Sequence, residues 1–447
     1  MTDGRARSCT AFAVVTVMLA AAEPAAAQLA RTPRAYRGLF DPAAKADSVQ
    51  SLTASGSLMS GYDTNVLALG RGNSFNIERT AVLGGGGYFG AASGSLGYSL
   101  DTKPVGFFAR ASTSGRYFPK LGTWATFQSA TAGATVSSGL WSQATFQMAS
   151  SASYGNSDRL HLFDQPDGTA DAYFEQQDYA VVDREAIRYS VTTGLSQRLG
   201  SRTSVSVSAS GRYHDNGGNA SNYRKYTAGA EWQYQFTRNA TAYLGYGYQQ
   251  AQYSGAGLEG RRPVGQSVDG GVRYGRALSL TRKTSLSFGT GSAFVRSAPL
   301  SSESDRNPLR VHLTGSALLS HEIARSWYAH LVYTRNVRFI EEFSDPILSD
   351  LVSAGVAGYL GQRLDLSMVA AYVHGSSSNR RPSRQLESYT GSAQLRFALT
   401  RLLSAYGQYL YYHYQLAEGA LLLRDIPSEL GRHSVRVGVS ASVPLLR

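Results

Sequence analysis

The sequence predicts an all-β fold: a transmembrane, antiparallel, up-and-down β-barrel of eighteen strands. Three observations predict it. Apolar and polar residues alternate with a period of two through segment after segment, as in strands with one dry and one wet face. The segments are joined by links that are alternately short and long, the form of a barrel with trimmed turns on one side of a membrane and larger loops on the other. No apolar run reaches the roughly 20 residues that a membrane-spanning helix requires.

The chain opens with residues that read as an export segment. Arg5 and Arg7 supply a positive start, Ala11 to Ala22 an apolar run, and Ala25, Ala26 and Ala27 a small-residue cleavage site before Gln28. Residues 1–27 are therefore read as a signal peptide. The sole cysteine, Cys9, lies within it, so the mature chain is expected to hold no disulfide and no thiol metal ligand. Residues 28–50, with Pro33 and Pro42, read as an extended periplasmic lead-in, which leaves 51–447 for the barrel. The charges of the leader cancel, and the formal net charge of +12 belongs to the remainder.

The alternation is clearest at three places. In 203–213, Val205, Val207, Ala209 and Tyr213 oppose Ser204, Ser206, Ser208, Ser210 and Arg212. In 226–236, Tyr226, Ala228, Ala230, Trp232, Tyr234 and Phe236 oppose Thr227, Gly229, Glu231, Gln233 and Gln235. Near the C-terminus, Val435, Val437, Val439, Ala441, Val443 and Leu445 oppose Ser434, Arg436, Gly438, Ser440 and Ser442. Carried along the chain, the pattern gives strands at 51–62, 77–100, 105–118, 123–138, 141–156, 184–199, 203–213, 225–236 and 240–252. It continues with 267–279, 284–296, 309–322, 327–337, 349–360, 364–374, 386–400, 403–415 and 432–446.

An even number returns the C-terminus to the side on which the chain started, so both termini are expected in the periplasm of a Gram-negative bacterium. The short links, several marked by an Arg as in Ser201-Arg202, Thr237-Arg238 and Thr400-Arg401, are expected there too. The run Gly84 to Gly87 lies within the long second segment and marks either a bend or an additional hairpin, which leaves sixteen to twenty strands open. Closure is forced, because unpaired backbone groups cost several kcal/mol each in hydrocarbon. The 28 tyrosines suit a membrane interface, and Tyr409, Tyr411, Tyr412 and Tyr414 are expected to form a stretch of aromatic girdle.

Eighteen tilted strands about 4.8 Å apart enclose a diameter of roughly 35 Å, too wide for side chains alone to fill. A channel is therefore expected in the outer membrane, in contact with lipid, lipopolysaccharide and the barrel-assembly machinery. Strand phase sends Arg110, Arg116, Arg188, Arg212, Arg273, Arg396 and Arg436 to the wet face, with Glu231, Asp269 and Asp365. A lining biased toward Arg concentrates anions, so small hydrophilic and preferentially anionic solutes are the expected cargo.

The link 157–183 runs the other way, with Asp164, Asp167, Asp171, Glu175 and Asp178. Attraction to the Arg-lined wall makes it a candidate gating loop; its spacing does not match a calcium loop. Arg261-Arg262 and Arg380-Arg381-Arg384 suit lipopolysaccharide contact.

Other classes find little support. The eight histidines are scattered, and neither a nucleophile elbow nor a His-Glu-x-x-His pair occurs, so no catalytic residue, metal or cofactor is expected. Arg residues dispersed around a lumen give no reason to expect nucleic acid.

One short element is more specific. The segment Gly61-Tyr62-Asp63-Thr64-Asn65-Val66 ends the first strand. With the repeated hairpins that follow, it resembles the outer-membrane barrels grouped as β-barrel porin family 2. That resemblance implies a porin architecture. Because some members are associated with exopolysaccharide secretion, it also implies an alternative role as the exit conduit for a polymer, with periplasmic export components as partners. Within the motif, Asp63 and Asn65 are expected to cap the strand end through side-chain turns. The chain ends on Arg447 where such barrels usually end on an aromatic residue.

Overall fold

A computed structural model of the chain describes residues 49–65, 86–102, 105–120, 122–138, 143–158, 180–215, 222–254, 264–278, 283–295, 310–323, 326–338, 346–377, 384–417 and 429–446. The expected leader and most of the lead-in lie outside these residues.

The strands are β1 (Gln50–Asp63), β2 (Gly87–Thr102), β3 (Val105–Phe118), β4 (Thr123–Ser138), β5 (Ala144–Asp158), β6 (Ala180–Arg198), β7 (Thr203–Asp215), β8 (Asn222–Thr237) and β9 (Ala240–Ser254). They continue as β10 (Val264–Ala277), β11 (Thr284–Val295), β12 (Arg310–Glu322), β13 (Trp327–Arg338), β14 (Ile347–Leu360), β15 (Leu364–Ser377), β16 (Arg384–Ala398), β17 (Leu403–Leu416) and β18 (Glu429–Leu446). Each pairs antiparallel with its sequence neighbours, and β1 pairs with β18 from Leu52↔Leu446 to Asp63↔Ser434. The described strands therefore form one closed, 18-stranded barrel, as the alternation predicts. Gly87 opens β2 as a single strand; Gly84 and Gly85 lie outside the described residues.

Both ends of the paired chain, Gln50 and Leu446, lie at the end of the barrel that carries the short turns, here called the turn end. The opposite loop end carries the long links. Local chemistry tightens the turns. Between β16 and β17 the Thr400 hydroxyl accepts the amides of Leu402 and Leu403 at 3.1 and 3.0 Å, and Leu399 N–H donates to Leu403 at 3.0 Å. Gly361, between β14 and β15, has φ of 71°, a left-handed conformation that costs glycine no steric strain.

The outward face is apolar and exposed. Leu58, Tyr88, Trp124, Leu244, Leu313 and Val437 all stand out from the wall, an arrangement that suits hydrocarbon and not water. Aromatic pairs mark two levels. Near the loop end Tyr62–Tyr88, Tyr117–Trp124 and Tyr372–Tyr389 lie 5.0, 5.2 and 4.9 Å apart; nearer the turn end Trp232–Tyr234 lie 6.1 Å apart. Such girdles bound the apolar band of an outer-membrane barrel. No described helix is long and apolar enough to cross a membrane, which says nothing about crossing by strands.

One expectation is corrected. Tyr409 and Tyr411 face outward, but Tyr412 and Tyr414 face inward and are almost wholly buried, so only half of that cluster can belong to a girdle. Residues an odd number of positions apart in a strand point to opposite sides, so Tyr412 and Tyr414 cannot share a face with Tyr409 and Tyr411.

The interior differs along its length. At the loop end the inward side chains of β14–β18 and β1–β3 are packed away from solvent, among them Phe89, Phe118, Ile347, Leu386, Tyr414 and Leu430. Toward the turn end inward residues such as Phe108, Arg110 and Gln147 are exposed. The packing reaches the closing seam. A Cβ on Gly61 would lie 2.6 Å from the Val435 carbonyl oxygen and 2.8 Å from the Phe89 ring. Gly61→Val is therefore expected to destabilise the barrel by about 1–3 kcal/mol through overpacking. Comparing the temperatures at which wild type and variant lose the compact band in a semi-native gel checks this.

Candidate lumen site

Ladder register fixes which residues face the lumen. Arg110 and Arg116 on β3, Arg188 on β6, Arg212 on β7, Glu231 on β8 and Asp269 and Arg273 on β10 all occupy inward positions. So do Asp365 on β15, Arg396 on β16 and Arg436 on β18. The interior brings some of them together and leaves others apart.

Arg273 reaches across β9 to Glu231. Its two terminal nitrogens donate to the two carboxylate oxygens at 2.8 and 2.6 Å, the paired geometry that suits guanidinium and carboxylate. Gln233 Nε2 adds a bond to Glu231 at 2.6 Å, and the guanidinium lies 4.0 Å above the centre of the Tyr243 ring. Arg396 pairs with Asp365, its register partner, at 2.7 Å. Two of the three inward acids foreseen from strand phase thus hold an Arg locally. Glu231→Gln would leave Arg273 charged beside a neutral amide. It is expected to cost about 1 kcal/mol of stability, since the pair is partly exposed, and to strengthen any anion preference, as read from the reversal potential under a salt gradient.

The other arginines make different contacts. Arg116 and Arg436 approach one ring, that of Phe89, at 4.8 and 5.6 Å from its centre. Arg188 Nε donates to His214 Nε2 at 3.3 Å, and on the adjacent ladder Arg212 stands opposite Lys225. Like charges facing each other on a sheet destabilise it, so this stretch of wall is held together by its other pairings. Arg110 and Arg212 are exposed to the lumen, and among the described residues neither makes an ion pair.

The Gly61-Tyr62-Asp63-Thr64-Asn65 element closes the seam. Asp63 Oδ1 accepts the Asn65 amide at 3.0 Å, the expected side-chain turn. Its other oxygen holds Arg432 on the last strand, at 2.8 Å from Nε and 2.7 Å from Nη2, with both side chains almost fully buried. Thr64 N–H donates to the His433 carbonyl at 2.9 Å, and Asn65 Nδ2 to that of Gly431 at 3.3 Å. Tyr62 turns outward into the aromatic level.

Sequence reasoning did not single out Arg432, Tyr243, His214, Lys225 or Phe89. For Arg432 a signal exists: it has the same strand parity as Arg436, but the alternation predicts a strand that only starts there, whereas β18 begins at Glu429. The acidic residues Asp164, Asp167, Asp171, Glu175 and Asp178 lie outside the described residues, as do Arg261-Arg262 and Arg380-Arg381. Among the described residues no group of three or more His, Cys, Asp or Glu side chains could hold a metal ion.

No family model matches the chain, and no curated protein matches it. Solved outer-membrane barrels do. The FrpB iron transporter of Neisseria meningitidis is 8% identical, with 89% of this chain and 81% of that chain covered and a TM-score of 0.46. OccK2 (OpdF) of Pseudomonas aeruginosa, solved with glucuronate, is 12% identical over 89% and 98% of the two chains, with a TM-score of 0.43. The alcaligin receptor FauA of Bordetella pertussis is 11% identical over 88% and 76%, with a TM-score of 0.38. Likenesses at this level assign neither family nor ligand, and the reading of the lumen rests on its own residues.

Proposed function

We propose that this protein is a non-enzymatic outer-membrane channel for small hydrophilic solutes, with a preference for anions, and that the turn end with both chain ends faces the periplasm. The observation that carries the reading is the inward exposure of Arg110 and Arg212 without described ion-pair partners, on a wall whose acids are largely engaged by other arginines. Exposed cations on a low-dielectric wall raise the local concentration of anions. Of the ten inward charged residues, the eight with exposed surface are its proposed lining; Arg116 and Arg436 are buried in the packed loop-end interior.

Uptake into proteoliposomes tests it. A singly charged sugar acid is expected to enter faster than a neutral sugar of the same size. Equal rates, or faster entry of the neutral sugar, would argue against the anionic preference. Block by an acidic polymer added from one side would favour the polymer-exit alternative.

A further inference from the structure

The wall is not continuously laddered. β10 pairs with β9 along its length, from Val264↔Gln250 to Tyr274↔Ala240, and β11 pairs with β12 from Thr284↔His321 to Val295↔Arg310. Yet the β10–β11 ladder runs only from Arg273↔Gly289 to Ala277↔Ser285. On the other side the β12–β13 ladder runs only from Gly315↔Arg335 to Glu322↔Tyr328. The loop-end half of the β11–β12 hairpin, 290–295 with 310–314, is thus paired within itself and laddered to neither neighbour.

The two ladders stop at glycines, Gly289 and Gly315. From there β11 leans into the lumen. The position a Cβ would take on inward-facing Gly271 is occupied by the Thr290 carbonyl oxygen, so β11 rides over the lumen side of β10 at that point. Tyr243, reaching across from β9, donates its hydroxyl to that carbonyl at 2.8 Å. On the opposite side Arg335 Nε donates to the Leu313 carbonyl at 3.2 Å. Side chains therefore meet carbonyl groups that strand pairing would otherwise engage. Backbone groups lacking ladder partners are costly within a bilayer, so an interruption on both sides of one hairpin, placed at glycines, has the character of a device.

We propose that the loop-end half of the β11–β12 hairpin is a hinged flap in the channel wall, leaning inward in this structure and swinging back into the wall to widen the passage. Swinging back would extend both ladders in their existing register, bringing Gly270 opposite Ser292, and would break the Tyr243 and Arg335 bonds. The effect on permeation rests on the channel reading above; the movement does not.

Two measurements on the full barrel in lipid nanodiscs and planar bilayers test it. Hydrogen exchange at 290–295 is expected to be at least about tenfold faster than in the continuously laddered middle of β14 and β15; equally slow exchange overturns the flap. In a Cys9-free background, Gly270→Cys with Ser292→Cys is expected to cross-link under oxidant and to raise single-channel conductance reversibly with reductant. Tyr243→Phe, which adds no cross-link and retains the ring, is expected to raise the time spent in the wider state. Failure to cross-link overturns the swing. Cross-linking with unchanged conductance overturns the gating role. A barrel that cross-links and exchanges as expected but never conducts counts against the channel reading and leaves the movement supported.

Discussion

Arg110→Glu with Arg212→Glu is expected to abolish the proposed preference for anions and to turn selectivity toward cations. Both side chains face the lumen, both are exposed, and neither is held by a described acid. Each substitution changes the local charge by two units, where lined cavities hold potentials of several kT. Removing even about 1 kT of favourable potential lowers the anion-to-cation permeability ratio roughly sevenfold, because anions lose and cations gain the same factor. The reversal potential under a salt gradient reads this directly. Arg396→Glu is a useful contrast, because it adds a second acid beside Asp365 and is expected to disturb folding as well as selectivity. A double variant that folds and keeps wild-type selectivity would remove these two arginines from the mechanism.

Asp63→Ala is expected to be the most destabilising single change in the described barrel. Asp63 is wholly buried and holds Arg432 at 2.7 Å across the seam between the first and last strands. Removing one partner of a buried ion pair strands the other charge, a loss of about 3–5 kcal/mol. The same substitution removes the side-chain turn to Asn65, at the place where the sheet has to close. Barrel unfolding is commonly irreversible, so the expected result is a faster conversion from folded to unfolded band at a fixed temperature. Asp63→Leu combined with Arg432→Met replaces the pair by apolar groups and is expected to recover most of the loss. If Asp63→Ala unfolds at the wild-type rate, the seam pair is not a closing element.

Much of this was legible in the sequence because a strand has so simple a code. Parity alone assigned Val435, Val437 and Val439 to lipid and Arg436 to the inside, and the paired register agrees. Aromatic content without parity misplaces Tyr412 and Tyr414, which belong to the packed interior. Parity gives faces but no partners. Nothing in the spacing links Asp63 to Arg432, which lies 369 residues away, or Glu231 to Arg273 across an intervening strand. Those contacts depend on closure and on the register between strands. The halted ladders beside β11 and β12 were also invisible, since their alternation continues unbroken through Gly289, Gly291 and Gly315. Only the pairing shows that the hairpin leaves the wall there.

The most direct test of the central claim is the reversal potential of the purified wild-type barrel in a planar bilayer separating two concentrations of potassium chloride. The lumen described here predicts steady conductance with chloride favoured over potassium. A reversal potential of the opposite sign, in a barrel shown to be folded, would contradict it.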